Sequence, residues 1–549
     1  MTALARHRLS EAVTAYGNGS LGGKGEGLLF ADEVRARRLR GKGAEPLVTS
    51  MLTTSIYRRY RDNGGKFDAE SLAALREIHA PFDKPLSVRS SEEGENDPGV
   101  PTSGNNPSFM LPNNNPGLEA RFSQFLQAVR HVFEQFTWKM VARDADDEVA
   151  VAISPIHGVH DKTRAGHIYY PMSAGVADSV LYYPVAGIGM DEGVARVVFG
   201  HGYGAVRADS DINAIPVLSV RKPSDTSGIR AGQTLFYALG MESNETLSGD
   251  PMETMKKLNV SFAGSHAVHF GSSPRGLNFG GLIGRDDFGY ASGLRSITEA
   301  LAAESSSPFQ IEFIFNIVNG KGAFHIVQYK KMRDIASEPV EIPEGGKDVL
   351  LSTDRVQGHG VVPGLRHAIV ISPFTYSKEK HNEATSALRE LNERMKAKGE
   401  KYVLVCPGRV GTNNPDWGIN VEFQDISQAA VVVEYGYDIS GSPYIPSTRQ
   451  EMTGGIYGSH FLYQMLGGAA EDARIRELRM RGSQGTHFIT NLITAGTIYL
   501  HIDPTSNKLD AKWFFSPPEG QENAPIYLKR FDSPVACYAD LAKRVCVIK

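Results

Sequence analysis

The stretch FQIEFIFNIVNGKGAFHIVQYKK, residues 309–331, decides how the first half of this chain is read. Asn319-Gly320, with Gly322 close behind, marks a tight turn. The flanking runs are rich in β-branched and aromatic residues, so the stretch reads as a hairpin. Folding it about Gly320 sets Glu312 opposite Gln328 and Gln310 opposite Lys330. Residues two apart on a strand share a face, so these four polar side chains converge. The opposite face takes Ile311, Phe313, Val327 and Tyr329, a set suited to a core. An acid, two amides and a lysine on one sheet face are costly to bury without a ligand. The oxygens of Glu312 and Gln328 suit Mg2+, and the Lys330 ammonium suits phosphate oxygens. A solvated hairpin face is the alternative reading of the same four residues.

Working outward, 549 residues are too many for one ordinary core, so two or three domains are expected. Hydrophobic residues make up 41% and charged residues 22%, the balance of a globular chain. A net charge of −4 leaves no basic stripe for nucleic acid. No apolar run is long enough to span a bilayer, and the start MTALARHRLSEAV has no apolar core of a signal peptide. Cys406, Cys537 and Cys546 have neither metal nor disulfide-framework spacing, which fits a reducing cytoplasm.

The expected organisation is a first domain over 1–335, a linker at 336–349 and a smaller domain over 350–549. The linker lies in IASEPVEIPEGGKD (335–348), which is rich in proline, glycine and charge. In the first domain, Phe122, Phe125, Leu126, Val129, Val132, Phe133 and Phe136 recur at helical spacing, as the stripe of a helix over 118–140. EVAVAISPI (148–156) reads as a strand. In the second domain, HAIVISP and KYVLVCPG flank the helical pattern EATSALRELNERMKAK, and QAAVVVEYG and GTIYLHID follow. Strand–helix–strand order predicts an α/β fold with a parallel or mixed sheet.

Other segments could carry chemistry. GSLGGKGEGLLFADEV (19–34) sets Lys24 in a glycine-rich loop before a helix, where backbone amides and a lysine could hold phosphate. A glycine-rich turn without a ligand is the alternative. KPLSVRSSEEGEND (84–97) ends a strand at Arg89, whose guanidinium forks onto phosphate oxygens or joins a surface ion-pair cluster. KYVLVCPGRVGTNNPDWG (401–418) offers Arg409 and Asp416 at a strand end, where α/β sheets bind ligands. His460 and His487 sit in an echoed Gly-Ser/Thr-His-Phe pattern, and either suits a phosphoryl acceptor, a general base or a structural imidazole.

Taken together, LGGKGEGL, SVRSSEEGEND, QIEF, IVQYKK and QTLFYALGM (233–241) resemble the nucleotide-binding half of phosphoenolpyruvate synthase and pyruvate phosphate dikinase. The resemblance covers residues 1–335 and implies an ATP-grasp fold using ATP and Mg2+. It implies that Lys24 and Arg89 hold phosphates and that Glu312 and Gln328 sit at the Mg-ATP site. It sets the adenine hinge at about Ser154-Pro155-Ile156. DRVQGHGVV, LVCPGRVGTNNPDWGINVEFQDIS and GSQGTHFITNL resemble a C-terminal region of phosphoenolpyruvate synthase-like proteins, which carries no mechanism with it.

The chain also departs from that family. Gln328-Tyr329-Lys330 stands where dikinases usually have Gln-x-Arg, and Gln310 stands where they usually have an acid. The usual phosphohistidine and barrel domains are missing, and GSHAVHFG (264–271) is a superficial match inside the nucleotide-binding region. The expected function is ATP-dependent phosphoryl transfer to a small molecule or a histidine. Lys24, Arg89 and Lys330 would neutralise charge, and the acceptor would sit between the domains near Arg409 or His487. A partner protein would supply a phosphohistidine domain if one is used. A ligase working through an acyl phosphate and a non-catalytic nucleotide-binding module are the other two readings.

Overall fold

In the computed structural model of the chain, helices and strands are interleaved, giving an α/β protein. The structure describes residues 4–93, 108–143, 147–163, 166–180, 190–202, 235–241, 279–332, 339–346, 348–372, 374–407, 409–411, 418–435, 495–502 and 507–549, with short pieces at 205, 215–217, 220, 260–261, 334 and 492. Two units emerge. The first holds residues 1–180, 192–206 and 214–332, and the second holds 181–191, 207–213 and 333–549.

The first unit opens with β1 (Arg6–Arg8), β2 (Val13–Tyr16), α1 (Gly22–Val34), β3 (Thr49–Leu52), α2 (Thr54–Asp62) and α3 (Ala69–His79). It continues with β4 (Leu86–Glu92), β5 (Ser108–Leu111), α4 (Leu118–Arg143) and β6 (Val149–Pro155). The strands form one sheet in the order β1-β2-β3-β6-β4-β5. Period-2 alternation gives it two apolar faces. Leu86, Val88, Val151 and Ile153 pack under the aromatic stripe of α4, where Phe125, Val129, Val132 and Phe133 are fully buried. Burying each such side chain contributes about 1.5–3 kcal/mol. Val13, Ala15, Met51, Ala150 and Ala152 face the other way, onto Leu28 of α1.

The second sheet of this unit carries the hairpin. Its elements follow β7 (Val159–Thr163) and β8 (Gly166–Tyr170) as β9 (Ser173–Asp178), β10 (Val194–Phe199) and β11 (Ile215–Val217). Next come the short β12 (Leu235–Phe236), β13 (Leu239–Gly240) and β14 (Val260–Ser261), then α5 (Tyr290–Ala302), β15 (Phe309–Val318) and β16 (Lys321–Lys331). The sheet runs β11-β10-β9-β15-β16, with every neighbouring pair antiparallel. β13, β8 and β7 form a small separate sheet, and β12 pairs with β14.

The turn is tighter than a fold about Gly320. Asn319 (φ 50°) and Gly320 (φ 75°) are its two central residues, and Val318 pairs with Lys321. That register would put Glu312 out of step with Gln328. A β-bulge at Val327 adds the missing residue, so Phe313 pairs with Ile326 while Glu312 pairs with Gln328 and Gln310 with Lys330. The expected pairs therefore form, but the core face changes by one residue. Ile311, Phe313 and Tyr329 enter the core with α5, as expected, and Ile326 takes the place assigned to Val327. Val327 turns instead towards the α1-facing side of the first sheet.

The second unit contains β17 (Leu351–Thr353), β18 (Arg355–Gln357), β19 (Gly360–Ile371), α6 (His381–Lys398), β20 (Tyr402–Pro407), β21 (Arg409–Val410), β22 (Gly418–Ile419) and β23 (Ala429–Tyr435). It ends with β24 (Ile498–Ile502), β25 (Lys508–Leu509), β26 (Ile526–Asp540) and β27 (Val545–Ile548). Nine strands form one mixed sheet in the order β18-β24-β23-β20-β19-β26-β27-β17-β25. Its four central strands, β19, β20, β23 and β24, are parallel. β23 and β24 are buried along their whole length, β20 from Tyr402 to Cys406 and β19 from Ala368 to Ile371, and these stretches are mostly apolar, as strands buried on both faces must be.

Candidate functional site

The polar face of the hairpin extends across two further side chains, Asp178 and Arg196. β15 lies between β9 and β16, so Gln310 has Asp178 on one side and Lys330 on the other. Glu312 likewise has Val176 and Gln328 beside it, and Arg196 of β10 opposes Val176. Arg196, Asp178, Gln310, Glu312, Gln328 and Lys330 therefore share one face. Gln310 Nε2 donates to Asp178 Oδ1 at 2.6 Å, and Arg196 Nη2 donates to Asp178 Oδ2 at 3.1 Å. Gln310 and Asp178 are each 6% exposed, whereas Glu312, Gln328 and Lys330 are half-buried. Burial holds the Asp178 carboxyl above its usual range, and the Arg196 guanidinium and Gln310 amide oppose that rise only in part.

Sequence reading missed Asp178 and Arg196. Their signal is a single charge inside an apolar strand, SAGVAD and VARVVF, which a buried ion pair explains. Their proximity to Gln310 depends on strand order, which local pattern does not carry.

Lys24 lies in the first turn of α1 rather than in a loop before it, and is 5% exposed. Its Nζ donates to the carbonyl of Ser90 at 2.8 Å. Two of the surrounding glycines are needed by packing alone. A Cβ on Gly22 (φ 66°) would fall 2.1 Å from Ser91 O, and one on Gly25 would fall 2.5 Å from Met51 Cε. Arg89 lies mid-strand in β4 and donates through Nη2 to the carbonyl of the bulged Val327. Lys24 and Arg89 thus flank one strand, and Arg89 ties the first sheet to the hairpin.

Ser154 and Ile156 lie at the end of β6. Ser154 is buried, and its hydroxyl bonds that of Thr49 at 2.9 Å. The Ile156 amide donates to Pro85 O at 2.7 Å, and its carbonyl accepts from the Tyr169 hydroxyl at 3.0 Å. Just beyond, His157 stacks on His325 of β16, with ring centroids 3.8 Å apart. Burial lowers the pKa of His157 to about 4 and that of His325 to about 3. Both rings are therefore neutral near pH 7.

A cavity of about 580 Å³ opens beside the start of α1, lined among others by Gly22, Gly23, Glu26, Glu304, Tyr329 and Lys331. Tyr329 alternates with Gln328 and Lys330, so the cavity lies on the other side of β16 from the polar face. Among the described residues, no three His, Cys, Asp or Glu side chains gather closely enough to hold a metal ion. A cation at Glu312 would have to complete its shell with amide and ligand oxygens.

His460, His487 and Asp416 lie outside the described residues, as does the segment 264–271. Arg409 is described in its backbone, where β21 pairs with β22. The neighbouring Val410 amide donates to Glu434 Oε1 at 2.9 Å, and Glu434 Oε2 lies 3.5 Å from His501 Nδ1. Glu434 and His501 are fully buried near the ends of β23 and β24. Among the described residues, no helix is long and apolar enough to cross a membrane. Searches against protein-family models and against curated proteins matched nothing to this chain.

Proposed function

We propose that the first unit is an ATP-grasp-like domain that binds Mg-ATP and transfers a phosphoryl group to a small molecule or a histidine. The observation that carries this reading is the polar face of β15 and β16, where Glu312 and Gln328 stand directly opposite and Gln310 and Lys330 form the next pair. Carboxylate and amide oxygens at this spacing fit the donor preference of Mg2+, and Lys330 fits a phosphate oxygen. A bound Mg2+ would neutralise charge on the phosphate oxygens. Glu312 would hold the cation and Lys330 would orient the phosphate tail. Arg89 donates to the Val327 carbonyl next to Gln328 and Lys24 to the Ser90 carbonyl of β4, and their charges would add to that positioning. The resemblance of residues 1–335 to the dikinase nucleotide-binding half supports the same assignment.

One observation favours a second reading, a nucleotide-binding module without turnover. Lys24 is bonded to Ser90, Arg89 to Val327, and Ile156 through both its backbone groups, so each is already engaged in holding the protein's own backbone. Incubation with Mg-ATP and a metabolite pool, resolving AMP from ADP, separates the readings. AMP with phosphate indicates dikinase-type chemistry, ADP a simple kinase or ligase, and tight binding without either product the module. No Mg-dependent binding at all would overturn the proposal.

A further inference from the structure

Resting on the reading of this face as a cation and phosphate site, we propose that Asp178 is a positioning residue that fixes which end of the Gln310 amide the site receives. A carboxylate oxygen only accepts hydrogen bonds, so the amide end 2.6 Å from Asp178 Oδ1 is the NH2 group. The carbonyl oxygen Oε1 is then the end turned away from β9. Gln310 and Glu312 lie on the same face of β15, so this oxygen is presented alongside the Glu312 carboxylate. Without Asp178 the amide could turn either end outward, and an NH2 group repels a cation. Arg196 bonds the second Asp178 oxygen at 3.1 Å and balances its charge, which leaves Glu312 as the carboxylate that meets the cation.

This arrangement also explains the glutamine. A carboxylate at 310 would face the Asp178 carboxylate at hydrogen-bond distance, and the two charges would repel. The neighbouring strand thus supplies an acid that orients rather than ligates.

The test is Mn2+ binding in the presence of ATP, read as the protein-dependent loss of the free-Mn2+ electron paramagnetic resonance signal relative to a matched Mn2+–ATP solution. Asp178→Asn frees the amide to flip and is expected to weaken Mn2+ binding at least about tenfold, the usual scale for an outer-shell partner. The double variant Asp178→Asn, Gln310→Glu restores a hydrogen bond of opposite polarity, Asn NH2 to Glu carboxylate, and places a full charge beside Glu312. It is expected to bind Mn2+ at least as tightly as the wild type. Side-chain amide exchange in 15N-glutamine-labelled protein reads orientation without metal. One glutamine NH2 should be protected in the wild type and exposed in Asp178→Asn. Wild-type affinity in Asp178→Asn would overturn the positioning role while leaving the site itself standing. Should Asp178→Asn fail to fold, the double variant decides, and Mn2+ binding weaker than wild type overturns the proposal. No Mn2+ binding by the wild type would overturn both the site and the inference.

Discussion

Glu312 stands directly across from Gln328 on the neighbouring strand, one residue beyond a bulge at Val327. Removing the carboxylate takes away the only acid on the hairpin's part of the face. Glu312→Ala should weaken ATP in the presence of Mg2+ at least about tenfold, or about 1.4 kcal/mol, and change metal-free ATP binding far less. Calorimetry with and without Mg2+ measures both, and equal Mg2+-dependent affinity in the two proteins would refute the assignment.

Lys24 should report on two properties at once. Its bond to the buried Ser90 carbonyl is a charge-assisted contact, so Lys24→Ala is expected to lower stability by about 1–3 kcal/mol. If the ammonium also reaches phosphate, ATP should weaken by about one to two decades while adenosine binding is unchanged. Urea midpoints and paired ATP and adenosine titrations read the two effects separately. Equal losses for ATP and adenosine would make the loop structural only.

Acid should unfold the first unit earlier than its carboxylates alone require. His157, His201 and His325 have folded-state pKa values lowered by burial to about 4, about 4 and about 3. In the unfolded chain they take up protons near pH 6.5, before the folded state does. Their stabilisation is therefore full above about pH 6.5 and falls as pH drops towards 4. Urea midpoints should decline from pH 7 to pH 5, and His325→Phe should flatten that decline. A midpoint constant over this interval would contradict the buried neutral pair.

The thiols should be silent in the native protein. Cys406, Cys537 and Cys546 are all buried, and burial pushes the Cys406 and Cys546 thiols well above their usual range. Cys537 and Cys546, whose spacing carried no framework signal, are neighbours on β26 and β27 with sulfurs 3.4 Å apart. An aromatic disulfide reagent should label none of them at pH 8 until denaturant is added, and then all three. Fast labelling of Cys537 or Cys546 in the native protein would show that the β26–β27 pair opens.

Much of the hairpin was legible because its information is local. Asn319-Gly320 marks the turn, and the spacing of Gln310, Glu312, Gln328 and Lys330 gives the polar face. The bulge was hidden because Ile326 and Val327 are both apolar strand formers, so a shift between them leaves the pattern unchanged. The half-residue offset of the assumed turn centre and the unseen extra residue cancelled, and the right pairs emerged. Asp178 and Arg196 were hidden for another reason. Which strand neighbours β15 is decided by packing over more than a hundred residues of chain, and no local period records it. The helix α4 and the parallel strands of the second unit were plain, since their apolar periods are long and unbroken.

Arg89 grips the Val327 carbonyl from 238 residues earlier in the chain. A hairpin zipping outward from Asn319-Gly320 has no local reason to extrude Val327, and continuing its regular register would pair Glu312 with Val327 instead of Gln328. Arg89 reaches Val327 only by closing that long loop, which costs more chain entropy than the local turn does. On this view the hairpin is assembled in two acts, with its polar end proofread by the rest of the unit. Synthesis order helps, because β4 leaves the ribosome before β16 and the arginine is already waiting when the strand that needs it appears.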